Sequence, residues 1–363
     1  MSKQSQREPI YVTKSFLPPR EEFDAYVDKI WQRGQLTNSG PLLQEFEERV
    51  SSYLGVNYFQ FVTNGTSALM IAIRALDLIG SEIITTPFSY VATTSSILWE
   101  QCTPVFVDIN PNTLCIDPDK IESAITSKTK AIMAVHVFGS PCDIDAIGVI
   151  AKKHNLKVIY DGAHAFGARY NGKSLLNYGD ISICSFHATK LFHTIEGGCI
   201  VSKDADINAK VDLLKRFGHD GDEHFTLGIN AKANEFQAAM GLSNLPYISK
   251  IIQKRKQLYD LYEARLAGTF QTLKIQEESE HNYGYYPVIF SSQEEAMRMM
   301  SKLADCNIFP RRYFFPSLNT LPYLTTHQDC PISEDISQRI LCLPLYYDLS
   351  PSVVNEICDE LLV

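Results

Sequence analysis

Residues 157–190 read KVIYDGAHAFGARYNGKSLLNYGDISICSFHATK. Two short apolar runs, Lys157–Asp161 and Ile181–Phe186, are predicted as strands, and each is followed by residues with chemistry. Asp161 closes the first run, at the carboxyl end of a buried strand, where open α/β sheets hold their ligands. His164 follows three residues later. Past the second run come Ser185, His187, Thr189 and Lys190, then Ile195-Glu196-Gly197-Gly198. A lysine just past an apolar strand and near a glycine pair loses solvent, which lowers its pKa and frees the amine as a nucleophile. Taken singly, each residue also has a plain reading: Asp161 as a turn cap, His164 as a structural histidine, Lys190 as an exposed lysine at a strand end.

Outward from this stretch the same pattern repeats. Phe59–Thr63, Glu82–Thr86, Pro104–Ile109, Ala131–Phe138 and Gly198–Val201 are further strand candidates. Ala68, Ile71, Ala72, Ala75, Leu76 and Ile79 fall on one helical face, and Asp143–His154 forms another helix. Near-continuous apolar strands separated by helices predict an α/β fold with a mostly parallel central sheet covered on both sides. Ile248–Leu266 is a long charged helix. Beyond it Tyr286–Phe290 and Arg339–Leu343 are predicted strands, and Ser291–Asp305 and Ser350–Leu362 predicted helices. The expected division is a large unit, residues 1–245, and a smaller α+β unit, residues 246–363.

Thr63-Asn-Gly65-Thr66-Ser67-Ala-Leu69 comes directly after a strand and opens a helix. Gly65 permits close backbone approach, and free amides at a helix start attract a phosphate; an ordinary helix cap is the alternative. Phe88 and Tyr90 offer an aromatic face. A phosphate cradle, an acid after a strand and a lysine after a later strand occur in that order. Together they meet the three needs of pyridoxal 5'-phosphate (PLP): grip the phosphate, keep the ring nitrogen protonated, hold the aldehyde covalently.

The 363 residues are 45% hydrophobic and 21% charged, the balance of a folded globular protein. A net charge of −9 argues against a nucleic-acid partner, which needs a basic face. No apolar run is long enough to cross a bilayer, and the opening MSKQSQREPIYVTKS lacks the apolar core of a signal peptide, so a cytoplasmic protein is expected. Nine scattered cysteines, never in a CxxC pair, exclude a zinc ribbon or disulfide framework; no metal is expected.

Nearly end to end, the chain resembles the DegT/DnrJ/StrS family of sugar aminotransferases, which have the aspartate aminotransferase (type I) PLP fold. The resemblance is carried by GQLTNSGP (34–41) with Phe46-Glu47, by TNGTSAL, TTPFSYVAT, VFVDI, VHVFG, DGAHAFGA, SFHATK and EGG, and by Asn234-Glu-Phe-Gln-Ala-Ala239 with Lys232 before it. It implies that Lys190 holds the cofactor and shuttles the proton, that Asp161 pairs with the pyridine nitrogen, and that His164 contacts the ring or its hydroxyl. Gly65, Thr66 and Ser185 would hold the phosphate and Phe88 would stack on the ring. Asn234 would reach the phosphate in the neighbouring subunit, making a homodimer with shared sites. The sugar nucleotide would lie near Thr37, His187, Lys232 and Tyr313.

Retention of Lys190 favours amino transfer over the deoxygenation of relatives with histidine there. The SFHATK and NAKANEFQAA stretches look most like enzymes that take an amino group from L-glutamate to C4 of dTDP-4-keto-6-deoxy-D-glucose, giving dTDP-4-amino-4,6-dideoxy-D-glucose. A 3-keto sugar aminotransferase, or one acting on a UDP- or GDP-linked keto sugar, is the alternative. A non-catalytic regulator on this fold would have lost the lysine or the aspartate. A Rossmann oxidoreductase would carry GxGxxG after its first strand, and none is present.

Overall fold

The computed structural model describes residues 8–325 and 327–363. Seven strands form one sheet: β1 (Tyr58–Val62), β2 (Glu82–Thr85), β3 (Thr103–Phe106), β4 (Thr129–Val135), β5 (Lys157–Asp161), β6 (Ile181–Ser185) and β7 (Gly198–Ser202). Their order is β1-β7-β6-β5-β4-β2-β3. Six run one way and β7 alone opposes them. The mostly parallel sheet expected from the sequence is therefore present.

Burial on both faces explains why these strands read as apolar runs rather than alternations. Successive side chains point to opposite faces. Val158, Tyr160, Cys184 and Cys199 enter a core with Phe46 and Ile147, whereas Ile159, Ile183 and Ile200 enter another with Ala68, Ala72 and Val211. Helices α1 (Arg20–Arg33), α2 (Pro41–Leu54), α3 (Gly65–Ala75), α4 (Ala92–Trp99), α5 (Ile144–His154), α6 (Ala205–Lys215) and α7 (Glu235–Asn244) surround the sheet. Asn64, Asp143, Asp204 and Asn234 each cap a helix through a side-chain oxygen, satisfying an amide that the helix ladder leaves free.

The apolar run expected to extend β4 to Phe138 stops at Val135. Phe138 takes a φ of 56° within a short helical turn, and its ring packs on Phe314 and Tyr285. A buried loop carries the same apolar signature as a strand, so composition does not mark the boundary.

Helix α8 (Ile248–Leu266) begins in the first core at Ile248 and ends in a separate one with Leu258, Tyr262 and Leu266. That last core takes residues from the antiparallel strands β9 (Tyr286–Ile289) and β10 (Ile340–Leu343), which β8 (Gln271–Thr272) extends, and from helices α9 (Gln293–Asp305) and α10 (Pro351–Leu362). Ile10–Tyr11, counted with the large unit in the sequence, instead pairs with Ile308–Phe309, and Ile10 enters this core. We propose the remaining division as read from sequence, near residue 245.

Candidate active site

The carboxyl ends of β1, β4, β5 and β6 open into a cavity of about 220 Å³. Of the twelve residues to which the family resemblance gives a role, eight line it: Gly65, Thr66, Asp161, His164, Ser185, His187, Lys190 and Tyr313. These come from turns far apart in the chain, which the parallel order brings to one edge of the sheet.

Asp161 ends β5 with its side chain buried. Its Oδ2 accepts the Thr93 hydroxyl at 2.8 Å and its Oδ1 the Ala163 amide at 3.1 Å. Burial raises its pKa, while Thr93, Ala163 and the charge of Lys190 pull it back down. Lys190 is half-buried in the turn after β6, where its amide donates to the His187 carbonyl at 2.8 Å. Loss of solvent lowers the Lys190 amine to about 8, against the raising influence of Asp161. The acid and the amine thus share one cavity and feel each other's charge.

The helix start at Gly65 is built by close backbone approach. Asn64 Oδ1 accepts the Ser67 amide at 2.8 Å, and the first helical bond runs from Ala68 N to Asn64 O. The amides of Gly65 and Thr66 therefore stand outside the helix ladder, at its positive end. A Cβ on Gly198 would lie 2.8 Å from the Gly65 nitrogen and 2.7 Å from the Asn64 carbonyl carbon. Glycine there lets β7 support the turn from below.

His164 sits in an aromatic slab. Its ring lies 4.5 Å from Tyr285 and stacks with Phe138, Phe314 and Tyr313. Burial, and then the charge of Lys190, hold it well below the usual histidine pKa, so it is neutral at pH 7. His187 pairs with Glu196 at 3.4 Å at the cavity wall.

The expectation that Phe88 stacks on the cofactor is corrected. Phe88 is fully buried and packs edge-on against Phe138 and Phe314 behind the wall. Tyr90, 51% exposed, lines the cavity in its place. Within TTPFSYVAT the two aromatics are indistinguishable by type, and the turn after β2 decides which one faces inward.

Thr37, Lys232 and Asn234 lie outside this cavity. Thr37 is on an exposed loop. Lys232 Nζ bonds Asn230 at 2.8 Å, and Asn234 caps α7 in a reciprocal bond pair with Gln237. Arg311, which the sequence reading missed, does line the cavity. Its guanidinium lies 4.5 Å over the Tyr313 ring, and its backbone pairs both ways with Cys342. Nothing in the string RRYF separates it from a surface arginine. Among the described residues no His/Cys/Asp/Glu group could hold a metal, and the cysteines are all free.

Residues 19–362 match the model of the DegT/DnrJ/EryC1/StrS aminotransferase family. The chain belongs to that family. A dTDP-4-amino-4,6-dideoxy-D-glucose transaminase of Shigella dysenteriae is 42% identical over 97% of this chain and 98% of its own length. One of the same description from Escherichia coli is 39% identical over 97% and 98%. Among solved structures, DesI with its TDP-sugar product is 31% identical and superposes with a TM-score of 0.93, over 98% of this chain and 92% of its own. Spr1654 of Streptococcus pneumoniae in its PMP form superposes at 0.90 with 26% identity, over 96% and 98%.

As a member of this family the protein is a PLP-dependent sugar aminotransferase with the expected fold. The residues present fit that cofactor. A free-amide cradle, a buried acid and an amine poised near 8 line one cavity, beside an exposed aromatic ring.

Proposed function

We propose that the protein transfers an amino group from L-glutamate to C4 of dTDP-4-keto-6-deoxy-D-glucose, giving dTDP-4-amino-4,6-dideoxy-D-glucose. The reaction class rests on one observation: Lys190 and Asp161 converge in a cavity whose floor is the Gly65–Thr66 helix start. The choice of sugar rests on two relatives of that activity, matched over nearly their whole length. Relatives at 33% identity are a GDP-perosamine synthase and a dTDP-3-amino-3,6-dideoxy-alpha-D-galactopyranose transaminase, which keep the alternatives of base and ring position in view.

PLP, when bound, supplies an electron sink for charge that develops beside the amino nitrogen. The chain supplies the rest. Asp161 holds a proton on the ring nitrogen by remaining ionised. Gly65, Thr66 and Ser185 grip the phosphate. Lys190 Nζ, with its pKa brought near neutrality, takes a proton from the donor's α-carbon and later delivers one to the sugar carbon. Neutral His164 would contact the ring or its hydroxyl, and Tyr90, exposed in the same cavity, would offer the ring an aromatic face. His187, Tyr313 and Arg311 line the cavity where the sugar nucleotide enters.

We also assign Asn234, Lys232 and Thr37 to the cavity of a partner subunit in a homodimer. The support is the segment 217–227 beside them, in which Phe217, Phe225 and Leu227 are each more than half exposed; grouped exposed apolar side chains mark a contact surface. Among the described residues no helix is long and apolar enough to cross a membrane, and we place the reaction in the cytoplasm.

The test is incubation with glutamate and a panel of dTDP-, UDP- and GDP-linked 3- and 4-keto sugars, with products read by NMR. A 4-amino-6-deoxyglucose product on dTDP is expected. Amination only at C3, or only on another base, would overturn the assignment.

A further inference from the structure

Asp161 is the end of a chain of hydroxyls. We propose that Thr93 is a positioning residue of the reaction, backed by Ser89. The two hydroxyls fix the plane of the Asp161 carboxylate and keep it ionised toward the cofactor's ring nitrogen. This rests on the pairing of Asp161 with that nitrogen proposed above.

Thr93 lies in the first turns of α4 and is wholly buried, and Ser89, in the turn before α4, is nearly so. A threonine in a helix commonly returns its hydroxyl to a carbonyl of the preceding turn. Here Thr93 Oγ1 instead donates to Asp161 Oδ2 at 2.8 Å. Ser89 Oγ lies 2.7 Å from the same Thr93 oxygen. A hydroxyl has one proton to give. With that of Thr93 committed to the carboxylate, Ser89 must be the donor between the two, so the chain runs Ser89 to Thr93 to Asp161. Each bond polarises the next, and the sum points at the carboxylate. The Ala163 amide holds the other oxygen at 3.1 Å. Both oxygens are therefore fixed, and the carboxylate cannot turn away from the cavity.

The arrangement answers a physical difficulty. A carboxyl buried this deeply drifts toward its neutral form, and a neutral acid would not keep a ring nitrogen protonated. The titratable group facing Asp161 is Lys190 across the cavity; the Cys184 thiol on the adjoining strand points to the other face of the sheet and feels the Asp161 charge only through it. Lys190 loses its positive charge when it gives up its proton. The hydroxyl chain is a source of stabilisation that persists when that charge is gone.

Four variants decide the matter: Thr93→Val, Thr93→Ser, Ser89→Ala and Asp161→Asn. For each, the dissociation constant of PLP is measured by titrating the apo protein, and the absorbance of the bound cofactor is followed against pH. Thr93→Val is expected to weaken PLP binding about tenfold or more and to shift the absorbance titration in the same direction as Asp161→Asn. Thr93→Ser should restore both, and Ser89→Ala should give a smaller shift. Thr93→Val added to Asp161→Asn should add nothing to the spectral shift. The melting temperature of the apo proteins separates this from a packing defect, which would lower stability and leave the spectrum alone. Wild-type spectra in Thr93→Val beside an altered Asp161→Asn would overturn the role of Thr93. An unaltered Asp161→Asn would instead sink the assignment of Asp161 itself, and this inference with it.

Discussion

Glu235 lays its carboxylate on the first turn of α2, accepting the Leu43 amide at 2.8 Å and the Leu42 amide at 3.1 Å. The two segments are almost two hundred residues apart. Helix α2 follows Gly40, which has no side chain to cap it, so an acid from the start of α7 takes that role and meets the positive end of the helix. This joins the GQLTNSGP stretch to the NEFQAA stretch physically, for Glu235 N also donates to the Leu36 carbonyl.

Replacing Glu235 with alanine leaves two amides without an acceptor at a buried site. The expected cost is about 2–3 kcal/mol of unfolding free energy, read from urea denaturation of the apo protein. Glu235→Gln keeps one acceptor oxygen but replaces the other with an amide nitrogen that cannot accept, so its cost should fall between those of the wild type and Glu235→Ala. Equal stability of all three proteins would reject the capping role.

Lys190 is brought to about 8 by loss of solvent. Only the neutral amine attacks an aldehyde, so the rate at which apo protein recaptures PLP should climb between pH 7 and pH 9 and level off above. An unperturbed lysine would keep climbing toward a pKa of about 10.4. The measurement is stopped-flow absorbance at constant ionic strength. Lys190→Ala should still bind PLP weakly and show no amino transfer; turnover at the wild-type rate would remove Lys190 from the chemistry.

Phe88 and Tyr90 should divide their effects cleanly. Phe88→Ala opens a hole among Phe138 and Phe314 and is expected to cost about 3–5 kcal/mol of stability. Tyr90→Ala touches an exposed ring, so stability should hold within about 0.5 kcal/mol while the dissociation constant of PLP rises. The reverse pattern would return the stacking role to Phe88.

That pair also shows where the sequence stops being legible. The seven strands could be read because burial on both faces leaves continuous apolar runs, and Asp161, Ser185 and Gly65 could be read because strand ends are marked by the change to polar residues. Which aromatic of TTPFSYVAT faces inward depends on one loop conformation, which no period encodes. Thr93 acts on Asp161 across 68 residues of sequence, a relation that exists only once β2, β4 and β5 are laid side by side. Arg311 reaches the cavity through a two-way backbone pairing with Cys342, again a matter of register. The Ile10–Tyr11 strand is two residues long and has no alternation to detect.

The shared site admits a decisive test by mixing. If Asn234 serves the cavity of the partner subunit, Lys190→Ala and Asn234→Ala proteins are each inactive for different reasons. A hybrid dimer then contains one site that takes Lys190 from one chain and Asn234 from the other, both intact, and one site that lacks both. After unfolding and refolding an equal mixture, half the dimers are hybrids with one good site of two, so activity should recover to about a quarter of wild type. If each subunit completes its own site, every site in the mixture carries one defect and the refolded mixture stays as inactive as its parents. Dilution adds a second reading: shared sites predict specific activity that falls as dimers dissociate, with a midpoint matching the loss of dimer in sedimentation. Full activity in a demonstrated monomer would place Asn234 back where the single chain shows it, as the cap of α7 and nothing more.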